Sequence, residues 1–199
     1  MRMPSVAIAV EGPSDAAVAR RLLRDAGLEA TVIYGQNGKG DLDRHLNGYN
    51  NAARYASWFV LRDLDHDADC APDLVADLLP TPSRKMCFRV AVRATEAWLL
   101  ADADAIADFL AVSRSLISAD PESLADPKRY LVDISRKSRR REVRADMVPA
   151  AGTTAKQGPG YTGRIIEFSD SYWRPQIAKK KAASLAGCMA RLRKIATAR

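Results

Sequence analysis

The stretch Trp58–Asp69, WFVLRDLDHDAD, constrains this chain more than any other. Trp58, Phe59, Val60 and Leu61 make a short aromatic and aliphatic run of the kind an interior parallel strand buries on both faces. The run stops at acids, with Asp63, Asp65, Asp67 and Asp69 at every second position. A backbone that stays extended through the first pair sends Asp63 and Asp65 to one side and Leu64 to the other. Carboxylates held that close raise each other's pKa unless a cation neutralises them. Hard divalent cations such as Mg2+ take oxygen ligands of this kind. A metal site is the leading reading.

The strand before that stretch has a precedent earlier in the chain. Ser5–Val10 is apolar and ends at Glu11-Gly12, and Pro13-Ser14 then opens a helix with Ser14 as its N-cap. Val18, Leu22 and Ala26 repeat at helical spacing, and Gly27 ends the helix as a C′ residue. Glu29–Tyr34 reads as a second strand, followed by the glycine-rich turn Gly35–Gly40 and a polar helix over Asp41–Tyr55. GQNGKG lacks the spacing of a P-loop. After the Trp58 strand come a helix carrying Leu74, Val75, Leu78 and Leu79, a fourth strand over Met86–Val92 and a helix over Thr95–Phe109. Strand and helix thus alternate four times in 110 residues. That predicts an α/β fold, a mostly parallel four-stranded sheet flanked by helices.

The remainder is less regular. Ser113–Asp133 holds helical fragments, Arg136–Arg144 is a basic run, Pro149–Gly163 reads as a flexible loop, and a helix runs from Gln176 with Leu185, Cys188, Met189, Leu192 and Ile195 at core spacing. The expected organisation is an α/β core over 1–112 and a helical basic extension over 113–199, packed on the core as one unit. Residues 1–135 carry 15 basic and 20 acidic side chains, net −5, and residues 136–199 carry 16 and 4, net +12. An acidic body beside a basic tail points to a polyanion such as nucleic acid, and a solvated surface is the rival explanation. Cys70, Cys87 and Cys188 are odd in number and far apart, which fits neither a zinc site nor a disulfide framework. No apolar run approaches the ~18 residues of a membrane span, and the apolar stretch at the N-terminus is too short for a signal peptide. A cytoplasmic protein without membrane contact is the expectation.

In an open parallel sheet, ligands bind beyond the carboxyl ends of the strands. Glu11 follows the first strand, Asp63 and Asp65 the third, and Glu96 the fourth. At these residues, Glu11-Gly12-Pro13-Ser14-Asp15 and then Asp63-Leu64-Asp65, the chain resembles the Toprim domain of topoisomerases, primases and the overcoming-lysogenization-defect (OLD) nucleases. Arg93–Asp102, RATEAWLLAD, is similar to a signature of small stand-alone Toprim-like proteins of unknown function. The resemblance spans roughly residues 5–110. It implies that Glu11 acts in acid–base chemistry or metal binding, that Asp63 and Asp65 hold Mg2+ (or Mn2+), and that Glu96 is a further ligand. There is no zinc ribbon as in primases and no topoisomerase module, which leaves a nuclease or a binding protein.

The expected reaction is metal-dependent phosphodiester hydrolysis of DNA or RNA, in phage defence or nucleic-acid processing. Lys39 would offset charge on the phosphate. Arg139, Arg140 and Arg141, with Lys179, Lys180 and Lys181, would hold the polynucleotide backbone. Asp15 stabilises the first helix or orients Glu11. His66 is an exposed loop residue or a ligand, and Asp67 an outside candidate ligand. Arg62 and Arg93 pair with the acids or touch phosphate. Tyr161, in the mobile loop, would stack on a base. The alternative is a non-catalytic Toprim-fold protein that binds nucleic acid or a protein partner. A phosphatase of the haloacid dehalogenase type, prompted by Asp63-Leu64-Asp65, ranks last because its nucleophile normally lies near the N-terminus.

Overall fold

The four apolar runs become four parallel strands in a computed structural model that describes residues 3–197. They are β1 (Ser5–Val10), β2 (Glu29–Gly35), β3 (Ser57–Asp63) and β4 (Met86–Ala91), in the order β2-β1-β3-β4. Both faces of the central pair are buried because alternate residues serve two cores. Val6, Ile8, Val10, Phe59 and Leu61 face one core. Ala9, Trp58, Val60, Met86 and Phe88 face the other. Helices α2 (Lys39–Ala52) and α3 (Ala71–Leu78) cover the second face. Helix α1 (Pro13–Asp25) lies on the first face, together with helices from the second half of the chain.

Those helices are α4 (Thr95–Leu100), α5 (Ala103–Leu110), α6 (Pro127–Ser135), α7 (Arg141–Met147), α8 (Tyr161–Ser171), α9 (Pro175–Ala178) and α10 (Ala183–Thr197). A single apolar cluster unites Val6, Leu22 and Trp98 with Leu131, Phe168, Trp173 and Leu192. The basic extension therefore supplies part of the same core as the sheet. No helix among the described residues is long and apolar enough to cross a membrane.

Several local expectations change. The N-cap of α1 is Gly12, with Pro13 in the first turn, so Ser14 lies inside the helix. Pro13 is pre-set for that first position, where its missing N–H costs nothing. Gly27 does take the left-handed C′ position, at φ 73°. The helix expected over Thr95–Phe109 is two helices, because Asp102 turns inward between them and accepts Arg174 Nη2 at 2.6 Å and Arg174 Nε at 3.0 Å. The C-terminal helix is likewise divided, with Lys179–Lys181 lying between α9 and α10. The Pro149–Gly163 loop ends earlier than expected, since α8 begins at Tyr161.

Candidate active site

The carboxyl edge of the sheet gathers four acids from three segments. Glu11 follows β1, Asp15 points back from the first turn of α1, Asp63 closes β3, and Glu96 sits in the first turn of α4. Asp15, Asp63 and Glu96 are buried, at 6%, 1% and 1% exposure. Glu11, Asp63 and Asp15 are joined by a hydrogen-bond chain. Asp63 donates its backbone N–H to Glu11 Oε1 at 2.8 Å. Its own Oδ1 accepts the Thr95 N–H at 2.9 Å, and the Thr95 hydroxyl donates to Asp15 Oδ1 at 2.8 Å.

One cation meets this set from outside the α/β core. Lys128, the second residue of α6, places Nζ 2.7 Å from Asp63 Oδ2. Tyr161, at the start of α8, donates its hydroxyl to Glu96 Oε1 at 2.9 Å. Tyr161 is 3% exposed. It is therefore an internal partner of Glu96, which corrects the expectation that it stacks on a base from a mobile loop. The burial follows from two glycines: Gly158 N–H donates to Met147 O at 3.0 Å, and Gly160 N–H to Asp146 O at 2.9 Å. A Cβ on Gly158 would stand 2.3 Å from Asp146 O.

Asp63 and Asp65 do not stand side by side as an extended chain would place them. β3 ends at Asp63, and Asp65 adopts a left-handed backbone at φ 48°. Arg93 does the same at φ 57°, and the two residues lock together. Asp65 N–H donates to Arg93 O at 2.8 Å, and Arg93 Nη1 donates to Asp65 O at 2.8 Å. Non-glycine residues held in that region cost on the order of 1–3 kcal/mol each and concentrate at functional sites. The reversal gives Asp65 a separate partner: its Oδ2 accepts Lys39 Nζ at 3.0 Å, and Lys39 also contacts Asp67 at 2.9 Å. Lys39 is the first residue of α2, not part of the turn before it. Arg62 pairs with Asp43 at 2.8 Å and Asp67 at 2.7 Å.

The electrostatics follow from burial and crowding. Desolvation first, then the charge of Asp63, pushes Glu11 up to about 7. Desolvation with Asp63 takes Asp15 to about 6. Glu96 rises to about 8, chiefly by desolvation, against the pull of Lys128. Asp63 is raised for the same first reason. Lys128 is held firmly protonated because Glu96 and Asp63 outweigh its own desolvation. Four carboxylates facing a single ammonium carry a surplus of negative charge that protons or a cation must meet.

Above this set lies a cleft of about 680 Å³. Lys39, Arg93, Lys128, Arg129, Arg136 and Lys156 bring positive charge to its walls, and Asp65, His66 and Asp67 also line it. Lys128 belongs to both the cleft and the acid cluster, whereas Glu11, Asp15, Asp63 and Glu96 do not line the cleft. His66 is exposed.

The donors match a hard cation in kind, being carboxylate oxygens. Glu96 Oε2 is buried and has no hydrogen-bond partner. Among the described residues, however, no three His, Cys, Asp or Glu side chains form a ready-made cation cage. Lys128 holds Asp63, Tyr161 holds Glu96, and Lys39 holds Asp65 and Asp67.

Of the basic residues singled out in the sequence, Arg141 lines a shallow depression beside the cleft. Arg140 lines a different cavity with Arg164 and Arg174. Arg139 is exposed and donates its N–H to Ala111 O. Lys179, Lys180 and Lys181 line neither the cleft nor the depression. The sequence reading gave Lys128 and Thr95 no role at the site, and gave Asp15 that of stabilising the first helix or orienting Glu11, without its contact to Thr95. No spacing links Lys128 to Asp63, 65 positions away; the only local signal is Asp126-Pro127, which starts its helix.

No protein-family model matches the sequence, and no curated protein does. A solved structure, the C-terminal region of the Burkholderia pseudomallei OLD protein, is similar over 99% of this chain and 100% of its own, at 16% identity and a TM-score of 0.45.

Proposed function

We propose that the protein is a metal-dependent phosphodiesterase that cuts DNA or RNA, in the manner the Toprim resemblance of its sequence implies. The observation carrying this reading is the convergence of Glu11, Asp15, Asp63 and Glu96 about Lys128, directly beneath a cleft lined with cations.

Asp63, Asp65, Glu11 and Glu96 would hold Mg2+ or Mn2+, the free Glu96 Oε2 being one waiting donor. Such an ion supplies phosphate polarisation and lowers the pKa of a bound water. The protein's own residues account for the rest. Lys39 and Arg93 sit where a phosphate in the cleft meets their charge. Lys128 offsets negative charge growing on a phosphate oxygen, and does so at every pH near neutrality because it stays protonated. Glu11, which accepts the Asp63 N–H, would serve in acid–base chemistry or as a ligand, as the Toprim resemblance implies. Tyr161 fixes Glu96 through Oε1 and leaves Oε2 available.

One observation favours the alternative, a non-catalytic protein that binds nucleic acid. Both oxygens of Asp63 already accept hydrogen bonds, from Thr95 N–H and Lys128 Nζ. The deciding experiment compares wild type with Asp63→Ala/Asp65→Ala on supercoiled plasmid and labelled single-stranded RNA, with Mg2+ or Mn2+. Metal-dependent cutting that the double variant loses by 100-fold or more supports the phosphodiesterase. Salt-sensitive binding by both proteins without cutting by either supports the alternative.

A further inference from the structure

We infer that a polynucleotide backbone reaches the site along α6 and α7, over Arg129, Arg136, Arg141 and Arg144, and not along the lysines between α9 and α10. Its identity as a polynucleotide rests on the proposed function; the path rests on the surface itself.

The cleft above the acid cluster does not end at α6. It meets a second, open depression of about 530 Å³, and Arg136 and Pro149 line both. Arg141 and Arg144 line that depression, three residues apart on one face of α7. Arg129 and Arg136 are seven residues apart, which is two turns of α6 and about 10 Å along its axis. Together they make a line of guanidinium groups leading to Lys128. Lys156 faces the same cleft from the Pro149–Gln157 segment.

Along this line Asp133 and Glu142 are exposed, Asp146 is paired with Arg164, and the remaining acids are engaged elsewhere. Asp133 is shared between Arg129 Nε at 3.8 Å and Arg136 Nε at 3.4 Å, all of them exposed. Exposed pairs of this length contribute little and give way readily to a phosphate. Asp126 is engaged in capping α6 through the Arg129 N–H. Asp65 and Asp67 are held by Lys39 and Arg62. Arg141 makes no ion pair among the described residues. Exposed Arg129, Arg136 and Arg141, with half-buried Arg144 donating to Ser138 O, suit the phosphate oxygens of a strand, which such contacts position without reading its sequence.

The test is fluorescence anisotropy with labelled single-stranded and duplex DNA over a salt series, in EDTA so that nothing is cut. Wild type is compared with Arg136→Glu/Arg141→Glu and with Lys179→Glu/Lys180→Glu/Lys181→Glu, thermal melts confirming that each variant folds. The lysine variant makes the larger change in total charge, so it controls for charge alone. Should the arginine reversal fail to fold, Arg136→Gln/Arg141→Gln replaces it. The path predicts at least 10-fold weaker binding in the arginine variant and a salt slope lowered by about 1.5, from two lost phosphate contacts. The lysine variant stays within about twofold of wild type. Loss confined to the lysine variant, equal loss in both, or no binding by wild type overturns the path. Binding along the path by a wild type that cuts nothing with Mn2+ upholds the path and removes the nuclease. Cutting by wild type with undiminished affinity in the arginine variant does the reverse.

Discussion

At the scale of single residues, the acid cluster is a store of unfavourable charge. Glu11 at about 7, Asp15 at about 6 and Glu96 at about 8 all lie above their unfolded values. A group raised on folding stabilises the native state while it is protonated, below its unfolded pKa, and that contribution is lost as pH rises through the folded value. Metal-free protein in EDTA is therefore expected to melt at progressively lower temperature as pH rises from 5.5 to 8.5. The slope should be smaller in Glu96→Gln, which keeps an acceptor for Tyr161 but cannot ionise. Asp67, lowered by Lys39, acts in the opposite direction but only at acid pH, outside that window. A melting temperature that is flat or rising over the range would refute the assignment. Glu11 and Asp63 were legible in the sequence because each stands at a strand end, and Glu96 because it opens the helix after one. Their partners were not, since Lys128 and Tyr161 come from helices whose arrival at Asp63 and Glu96 is a matter of tertiary packing.

At the scale of elements, the strands were the most legible part of the chain. Ser5–Val10 was read with both ends correct, and the other three within a residue or two, because interior parallel strands are continuous apolar runs. The helix expected over Thr95–Phe109 was read too long because a polar residue turns inward. Asp102 divides it because its buried carboxylate takes two donors from the Arg174 side chain, a partner 72 positions away. The loop before α8 shows the opposite error, since its glycines looked like flexibility and serve close packing. Gly158→Ala would drive a Cβ into the backbone of Asp146, Met147 and Val148. The expected cost is about 1–3 kcal/mol of stability in urea unfolding, as for other overpacking changes. Because Tyr161 lies three residues on, the proposed cleavage activity should fall as well. An unchanged unfolding midpoint would show that this segment yields freely.

At the scale of the whole molecule, the second half of the chain completes the first. The first half supplies the acids, α6 and α8 supply the ammonium and hydroxyl that hold Asp63 and Glu96, and one apolar cluster ties the two halves together. Part of the basic tail read from the sequence, Arg136, Arg141, Arg144 and Lys156, lines the cleft and the depression beside it. The sequence could not place those cations, because a basic residue on a solvated face and one beside a cleft look alike before the helices pack.

The most direct test of the account is calorimetric titration of Mn2+ into the protein at pH 7.5, repeated in buffers of different ionisation enthalpy. A cation site built from carboxyls that are still partly protonated predicts saturable binding with release of protons, because the ligands must ionise to bind. It also predicts that Asp63→Ala/Asp65→Ala binds at least 10-fold more weakly. No saturable binding by wild type at millimolar Mn2+, or equal binding by the double variant, would contradict the claim that these acids form a metal centre.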